Sequence, residues 1–188
     1  MTSGVSIILA CTHDGGIGKN NAIPWSIPAD MKHFKDITTT APHGFKNVVI
    51  MGKNTWLSLP NEYKPLQNRI NIIVSSTLHE HKNNIEIKDN LDEAINYAMS
   101  LDKIFKVFVI GGARLYNEIM KHPLCTTAYV THIMTGEDTM NIDCDTFIDL
   151  DTFNNIFTLT KEGIVNRKDH LYFTFCEYHK VSQGIKFE

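Results

Sequence analysis

The sequence predicts an α/β domain built on a mainly parallel central sheet, with helices on both faces and an antiparallel strand pair at the C-terminal end. Three observations carry this expectation. Short apolar, β-branched runs recur along the chain, segments with helical spacing lie between them, and the last two runs have no helix between them. The runs are continuous rather than alternating, as befits strands covered on both faces.

Val5–Cys11, broken only by Ser6, is the first such run. Ala29–Ile37 follows with helical spacing, and Val48–Met51 is the next strand. Met51-Gly52-Lys53-Asn54-Thr55 then reads as a strand-to-helix junction. Ile70–Val74, Phe105–Ile110 and Ala128–Ile133 are further buried runs, separated by the helical segments Leu91–Leu101 and Leu115–Met120. Phe157–Thr160 and Leu171–Phe175 flank a charged stretch containing Gly163 and read as an antiparallel pair closing the sheet edge. No internal period, low-complexity stretch or linker divides the 188 residues, so one domain is expected.

Composition removes several function classes. With 43% hydrophobic and 21% charged residues the chain has globular usage. Lys+Arg 18 against Asp+Glu 21 leaves a net charge of -3, so no global field draws it to nucleic acid. Its apolar runs are too short to span a bilayer. Met1-Thr2-Ser3-Gly4 carries no basic residue, so the apolar run behind it lacks a secretory leader's basic region. Cys11, Cys125, Cys144 and Cys176 form no C-x-x-C pair and no zinc spacing, so reduced thiols of a cytoplasmic protein are expected and no metal. His79-Glu80-His81 lies in a polar connecting segment and reads as a solvated face rather than a ligand set.

Glycines supply the next clues. His13-Asp14-Gly15-Gly16-Ile17-Gly18-Lys19-Asn20 fails as a phosphate-binding P-loop, because His13 stands at the first glycine position and Asn20 where the hydroxyl belongs. It fails G-x-G-x-x-G at Asn21. A flexible surface loop is the plainer reading. Gly111-Gly112 is stronger, since it joins a buried run to a helical one, and such a junction lets a backbone approach a phosphate. A tight turn without ligand is the competing reading. At the second junction Lys53 opposes the helix dipole, which an anion partner would explain.

Only three basic residues are arginines, Arg69, Arg114 and Arg167, so each is a candidate for a forked, planar contact. Arg114 sits beside the glycine pair and Arg69 opens a strand. Asp30 is the last oddity. It lies within the apolar stripe Ile27, Met31, Phe34 and Ile37 rather than opposite it, where a carboxylate is costly without a partner. Alternatively, following Pro28, it complements the dipole in a first helical turn.

These residues converge on a family. In chain order, Ile17-Gly18-Lys19-Asn20-Asn21-Ala22-Ile23-Pro24-Trp25, Pro28-Ala29-Asp30-Met31-Lys32-His33-Phe34, Val49-Ile50-Met51-Gly52-Lys53-Asn54-Thr55-Trp56, Pro65-Leu66-Gln67-Asn68-Arg69, Ile110-Gly111-Gly112-Ala113-Arg114-Leu115-Tyr116, Tyr129-Val130-Thr131-His132-Ile133 and Asp145-Thr146-Phe147 resemble the dihydrofolate reductase family over nearly the whole chain.

The resemblance implies NADPH-dependent reduction of 7,8-dihydrofolate to tetrahydrofolate, with hydride to C6 and a proton to N5. It implies that Asp30 pairs with the pterin amidine edge, supported by Thr131 and bordered by Trp25. Ile8, Met31, Phe34, Leu59, Leu66 and Ile110 match pocket-wall positions, and Arg69 matches a clamp on the substrate's glutamate. Lys53, Ser76 and Arg114 match the 2′-phosphate pocket, with Thr55 beside the pyrophosphate and Gly111-Gly112 the family's cis-linked pair. Ala10, Ile17, Gly18, Gly52, Asn54, Ser75, Ala113, Leu115 and Tyr116 complete the cofactor positions, and Gly15 to Trp25 matches a mobile loop. The implied partners are dihydrofolate and antifolate inhibitors, bound by a monomer with no membrane or nucleic-acid role and no fused thymidylate synthase. Asn68 stands where glycine usually precedes the arginine, and Asn tolerates left-handed geometry. Two rivals share the scaffold: the pyrimidine reductase of riboflavin synthesis, against which Asp30 and Arg69 argue, and a silent nucleotide- or RNA-binding protein, against which Asp30, Trp25 and Thr131 argue.

Overall fold

A computed structural model describes residues 4–78, 84–136 and 142–181. The segment His79-Glu80-His81 lies outside these. Along the chain run β1 (Val5–Thr12), β2 (Gly16–Gly18), α1 (Pro28–Thr39), β3 (Lys46–Gly52), α2 (Lys53–Ser58) and, after a short 3-10 turn, β4 (Arg69–Val74). Then follow β5 (Ile85–Lys88), α3 (Leu91–Ser100), β6 (Ile104–Val109), α4 (Ala113–Lys121), β7 (Cys125–Thr135), β8 (Thr146–Phe147), α5 (Leu150–Ile156), β9 (Phe157–Glu162), β10 (Asn166–Lys168) and β11 (Leu171–Lys180).

Nine strands form one sheet in the order β10-β11-β7-β1-β6-β3-β4-β5, with β9 also on β11. From β7 to β5 every pairing is parallel. β11 runs antiparallel to β7, and β9 and β10 both run antiparallel to β11. The expected architecture is therefore present, antiparallel edge included.

The continuous apolar runs have the cause expected of them. In β3, Val48 and Ile50 pack with Leu91, Ile95, Leu115 and Ile119 of α3 and α4 on one face. Val49 and Met51 pack with Trp56 of α2 on the other, where Phe34 and Ile37 of α1 also lie. Side chains alternate across a pleated strand, so a strand covered on both faces is apolar at every position. A third cluster joins Trp25 and Ile27 to Ile133, Leu171 and Phe173.

Sequence spacing misplaced one helix face. The stripe on α1 fronts an opening rather than closed core: Met31 is 48% exposed, while Asp30 and Thr38 are the buried residues of the helix. β5 and α5 are among the elements that escaped the apolar-run reading. β5 is only four residues with no fully buried position. α5 is rich in poor helix formers, but the Asp149 carboxylate accepts from the Thr152 amide and caps its first turn.

Candidate active site

The parallel strands all point their carboxyl ends to one side, and the loops leaving them surround a cavity of about 650 Å³, within the usual range for a small-molecule site. Every substrate-, cofactor- or catalysis-assigned residue named above lines this cavity except Leu66 and Arg69. Leu66 instead packs beneath the wall with Met51, Trp56 and Phe108, because an apolar side chain next to a cavity is as well buried facing the core. Arg69 stands behind Phe34, 5.8 Å from its ring. It donates from Nη1 to Thr38 Oγ1 at 2.8 Å and from Nε to Gln67 O at 3.0 Å. Burial lowers its pKa. Asn68 just before it takes φ 62, the left-handed geometry anticipated for that position.

One end of the cavity holds Asp30. Pro28 opens α1, so Asp30 falls in the first turn, 5% exposed, and both sequence readings of it apply together. Thr131 Oγ1 donates to Asp30 Oδ1 at 2.7 Å from the central strand β7. Burial raises the Asp30 pKa, and the Thr131 bond opposes the rise. A buried carboxylate with a single neutral donor is under-compensated, so a cationic or two-donor ligand would stabilise its ionised form. Trp25 also lines the cavity, and its buried Nε1 has no hydrogen-bond partner among the described residues. His33, one helical turn on from Asp30, also lines the cavity and stacks on Phe175 with ring centroids 3.9 Å apart. Burial lowers its pKa, with Asp36 opposing.

At the other end stand the glycine junctions. The Gly111-Gly112 peptide is cis, as the resemblance implied. Gly111 O accepts from the Gly52 amide at 2.8 Å, which locks the two junctions together. Tyr116 Oη donates to Ile8 O at 2.9 Å beneath them. Gly111 has φ 118, and a Cβ there would lie 3.1 Å from Tyr116 Oη. Gly111→Ala is therefore expected to cost about 1–3 kcal/mol of stability, read as a lower urea midpoint with unchanged slope. No side chain caps the N-terminus of α4, so its first amides remain available to an anion. Lys53 Nζ donates to Thr77 Oγ1 at 2.9 Å across the same end.

The roof is the loop between β1 and α1. β2 pairs with β8, the Asn20 amide donates to Asp145 Oδ2 at 2.8 Å, and the Asp145 amide donates to Gly18 O at 2.9 Å. Asn20 and Asn21 both have positive φ and make the tight turn closed by the Lys19–Ala22 bridge. The surface-loop reading from sequence missed this ribbon. Outside that loop, sequence reasoning also passed over Leu9, His33, Ser58, Val74, Thr77, Asp89 and Thr146, all of which line the cavity. Of these, only His33 carried a signal, its i+3 spacing from Asp30. Among the described residues no cluster of side chains suits a metal ion, and no helix is long and apolar enough to cross a membrane.

The sequence profile of the dihydrofolate reductase family matches residues 4–180. Dihydrofolate reductase of Schistosoma mansoni is 36% identical over 186 residues, covering 95% of this chain and 97% of that protein. Its solved structure superposes with a TM-score of 0.82 at 34% identity, over 96% of this chain and all of the other. Dihydrofolate reductase of Heliothis virescens is 36% identical over 148 residues, 76% of this chain and 77% of that one. A bifunctional dihydrofolate reductase-thymidylate synthase of Arabidopsis thaliana is 36% identical over 152 residues, of which this chain spans only 26% of the partner's length. The cavity is thus framed by a fold and sequence shared along nearly the full chain, and the protein belongs to the dihydrofolate reductase family.

Proposed function

We propose that the chain reduces 7,8-dihydrofolate to 5,6,7,8-tetrahydrofolate with NADPH, acting as a cytoplasmic monomer that antifolates inhibit. The observation carrying this reading is the buried Asp30 carboxylate, held by Thr131, in one cavity with the glycine junctions, Lys53 and Arg114. A pterin's amidine edge offers two coplanar donors, the complement of a carboxylate with one oxygen already bonded. Ile8, Met31, Phe34, Leu59 and Ile110 supply apolar walls for a flat ring. Four free cysteines suit a reducing compartment.

The cofactor end fits NADPH in its donor chemistry. Lys53, Ser76 and Arg114 would hold the 2′-phosphate, Thr55 and the open amides of α4 the pyrophosphate, and Gly111-Gly112 leave room for backbone approach. Bound there, NADPH supplies the hydride. The protein's own work is alignment and exclusion of water. The β2–β8 ribbon roofs the cavity, and the unpartnered Trp25 Nε1 is a candidate donor to a water or a ligand oxygen. Asp30 favours the protonated pterin electrostatically, while the proton itself arrives through solvent admitted beside the roof.

The direct test is loss of reduced-nicotinamide absorbance with dihydrofolate and NADPH, abolished by an antifolate. No turnover would leave a silent scaffold. Arg69 adds a second check. It keeps Nη2 without a hydrogen-bond partner among the described residues, and that donor suits a carboxylate beyond Phe34. Arg69→Lys is expected to raise the dihydrofolate KM roughly 10-fold with kcat nearly unchanged, because it weakens a remote clamp. Steady-state kinetics in which kcat alone falls would exclude that role.

A further inference from the structure

The phosphate end of the cavity contains a carboxylate among its cations. Three consecutive sheet neighbours, β3, β4 and β5, send the residues that follow them to this end. Lys53 opens α2 straight after β3, Ser75, Ser76 and Thr77 follow β4, and Asp89 follows β5, all lining the cavity. The segments are tied to one another: Lys53 Nζ donates to Thr77 Oγ1 at 2.9 Å, and the Ser75 amide donates at 2.9 Å to the carbonyl of Lys88, the residue before Asp89. The Lys88 ammonium is engaged elsewhere, 3.5 Å from Glu86 and 4.0 Å over the ring of Tyr97. Asp89 is exposed and has no ion-pair partner among the described residues. Its neighbour Asn90, not Asp89, caps α3. No ion pair or capping bond among the described residues accounts for this carboxylate.

We infer that Asp89 is a specificity-determining residue that narrows the preference for NADPH over NADH. The inference rests on the reading of this end as the cofactor's ribose site. The two cofactors differ only at the ribose 2′ position. A 2′-phosphate brings about -1.5 to -2 charges at neutral pH, which a neighbouring carboxylate repels. A 2′-hydroxyl is a donor, and a carboxylate is the acceptor that selects it in sites built for the unphosphorylated cofactor. Asp89 therefore works against one cofactor and for the other, while Lys53 and Arg114 work in the opposite sense. Solvent and salt screen an exposed charge, so the effect is about tenfold rather than thousandfold.

The test reads binding, on fragments that occupy only this end. Affinities of 2′,5′-ADP and 5′-AMP are measured by calorimetry at pH 8 for the parent, Asp89→Asn and Asp89→Arg, then repeated with NADPH and NADH. The preference for the phosphorylated member is expected to rise about 5- to 10-fold in Asp89→Asn and further in Asp89→Arg, with a smaller gain at high salt. Part of the rise should be a loss of 5′-AMP and NADH affinity. A parent that binds 2′,5′-ADP while the preference moves less than twofold in both variants overturns the role of Asp89 alone. A parent that binds neither fragment nor NADPH overturns the reading of the cavity end, and this inference with it.

Discussion

Asp30→Asn is expected to lower kcat/KM for dihydrofolate by roughly 10²–10³-fold at neutral pH. The replacement is isosteric, and the amide oxygen still accepts from Thr131, so the fold should persist. What disappears is the negative charge that favours a protonated pterin. Free protons replace that help as the solution becomes acidic, so part of the activity should return between pH 8 and pH 5. NADPH binding, read by fluorescence, should hardly move. Activity within threefold of the parent across that range would take Asp30 out of the mechanism. The same variant carries an opposite expectation for stability. Burial raises the Asp30 pKa in the folded protein, so above the unfolded value the native state holds the extra proton. Stability from this group is complete below the unfolded pKa and is lost as pH rises through the folded one. Without ligand, Asp30→Asn should therefore melt higher than the parent at pH 7, and the difference should close on acidification below the ordinary carboxylate range. Equal Tm values at pH 7 would show that the carboxylate is already compensated.

The second large effect falls on the cofactor. Replacing Lys53 and Arg114 together by Ala is expected to weaken NADPH binding by about 2–4 kcal/mol while leaving NADH nearly unchanged, since charge-assisted contacts to a phosphate are the only interactions that differ. Part of the loss should vanish in high salt. Equal weakening of both cofactors, measured by titration, would place the two side chains on the shared part of the dinucleotide instead.

The sheet was legible because a strand buried on both faces is apolar at nearly every position, and β1, β3, β4 and β6 wrote that constraint into almost consecutive residues, while β7 mixes it with Thr131 and His132. Asp30 was legible for the converse reason, a costly residue in an apolar stripe. What stayed hidden depends on three-dimensional neighbourhood. Leu66 and Leu59 look alike in sequence, yet one lies in the core and the other lines the cavity. The orphaned Trp25 Nε1 follows from packing that no spacing encodes. Asp89 sits in an unremarkable polar turn, and only the placement of short β5 beside β4 brings it to the cavity. The β2–β8 ribbon pairs segments more than a hundred residues apart, with too few residues in either to show a pattern.

Because the parallel strands run the same way, the molecule has two ends with separate duties. The carboxyl rim carries every loop that touches the cavity. The opposite rim carries turns such as the one at Gly44, where an added Cβ would meet nothing within 4 Å, and the link between Lys46 and Lys103 that merely starts two strands. Apart from Arg69, which opens β4 on this side, variation at that rim is filtered through folding, whereas variation at the carboxyl rim is filtered through ligand chemistry. Lineages that lengthen, fuse or decorate such a chain have a permissive side on which to do so, and drift in cofactor or inhibitor preference has to be sought on the other.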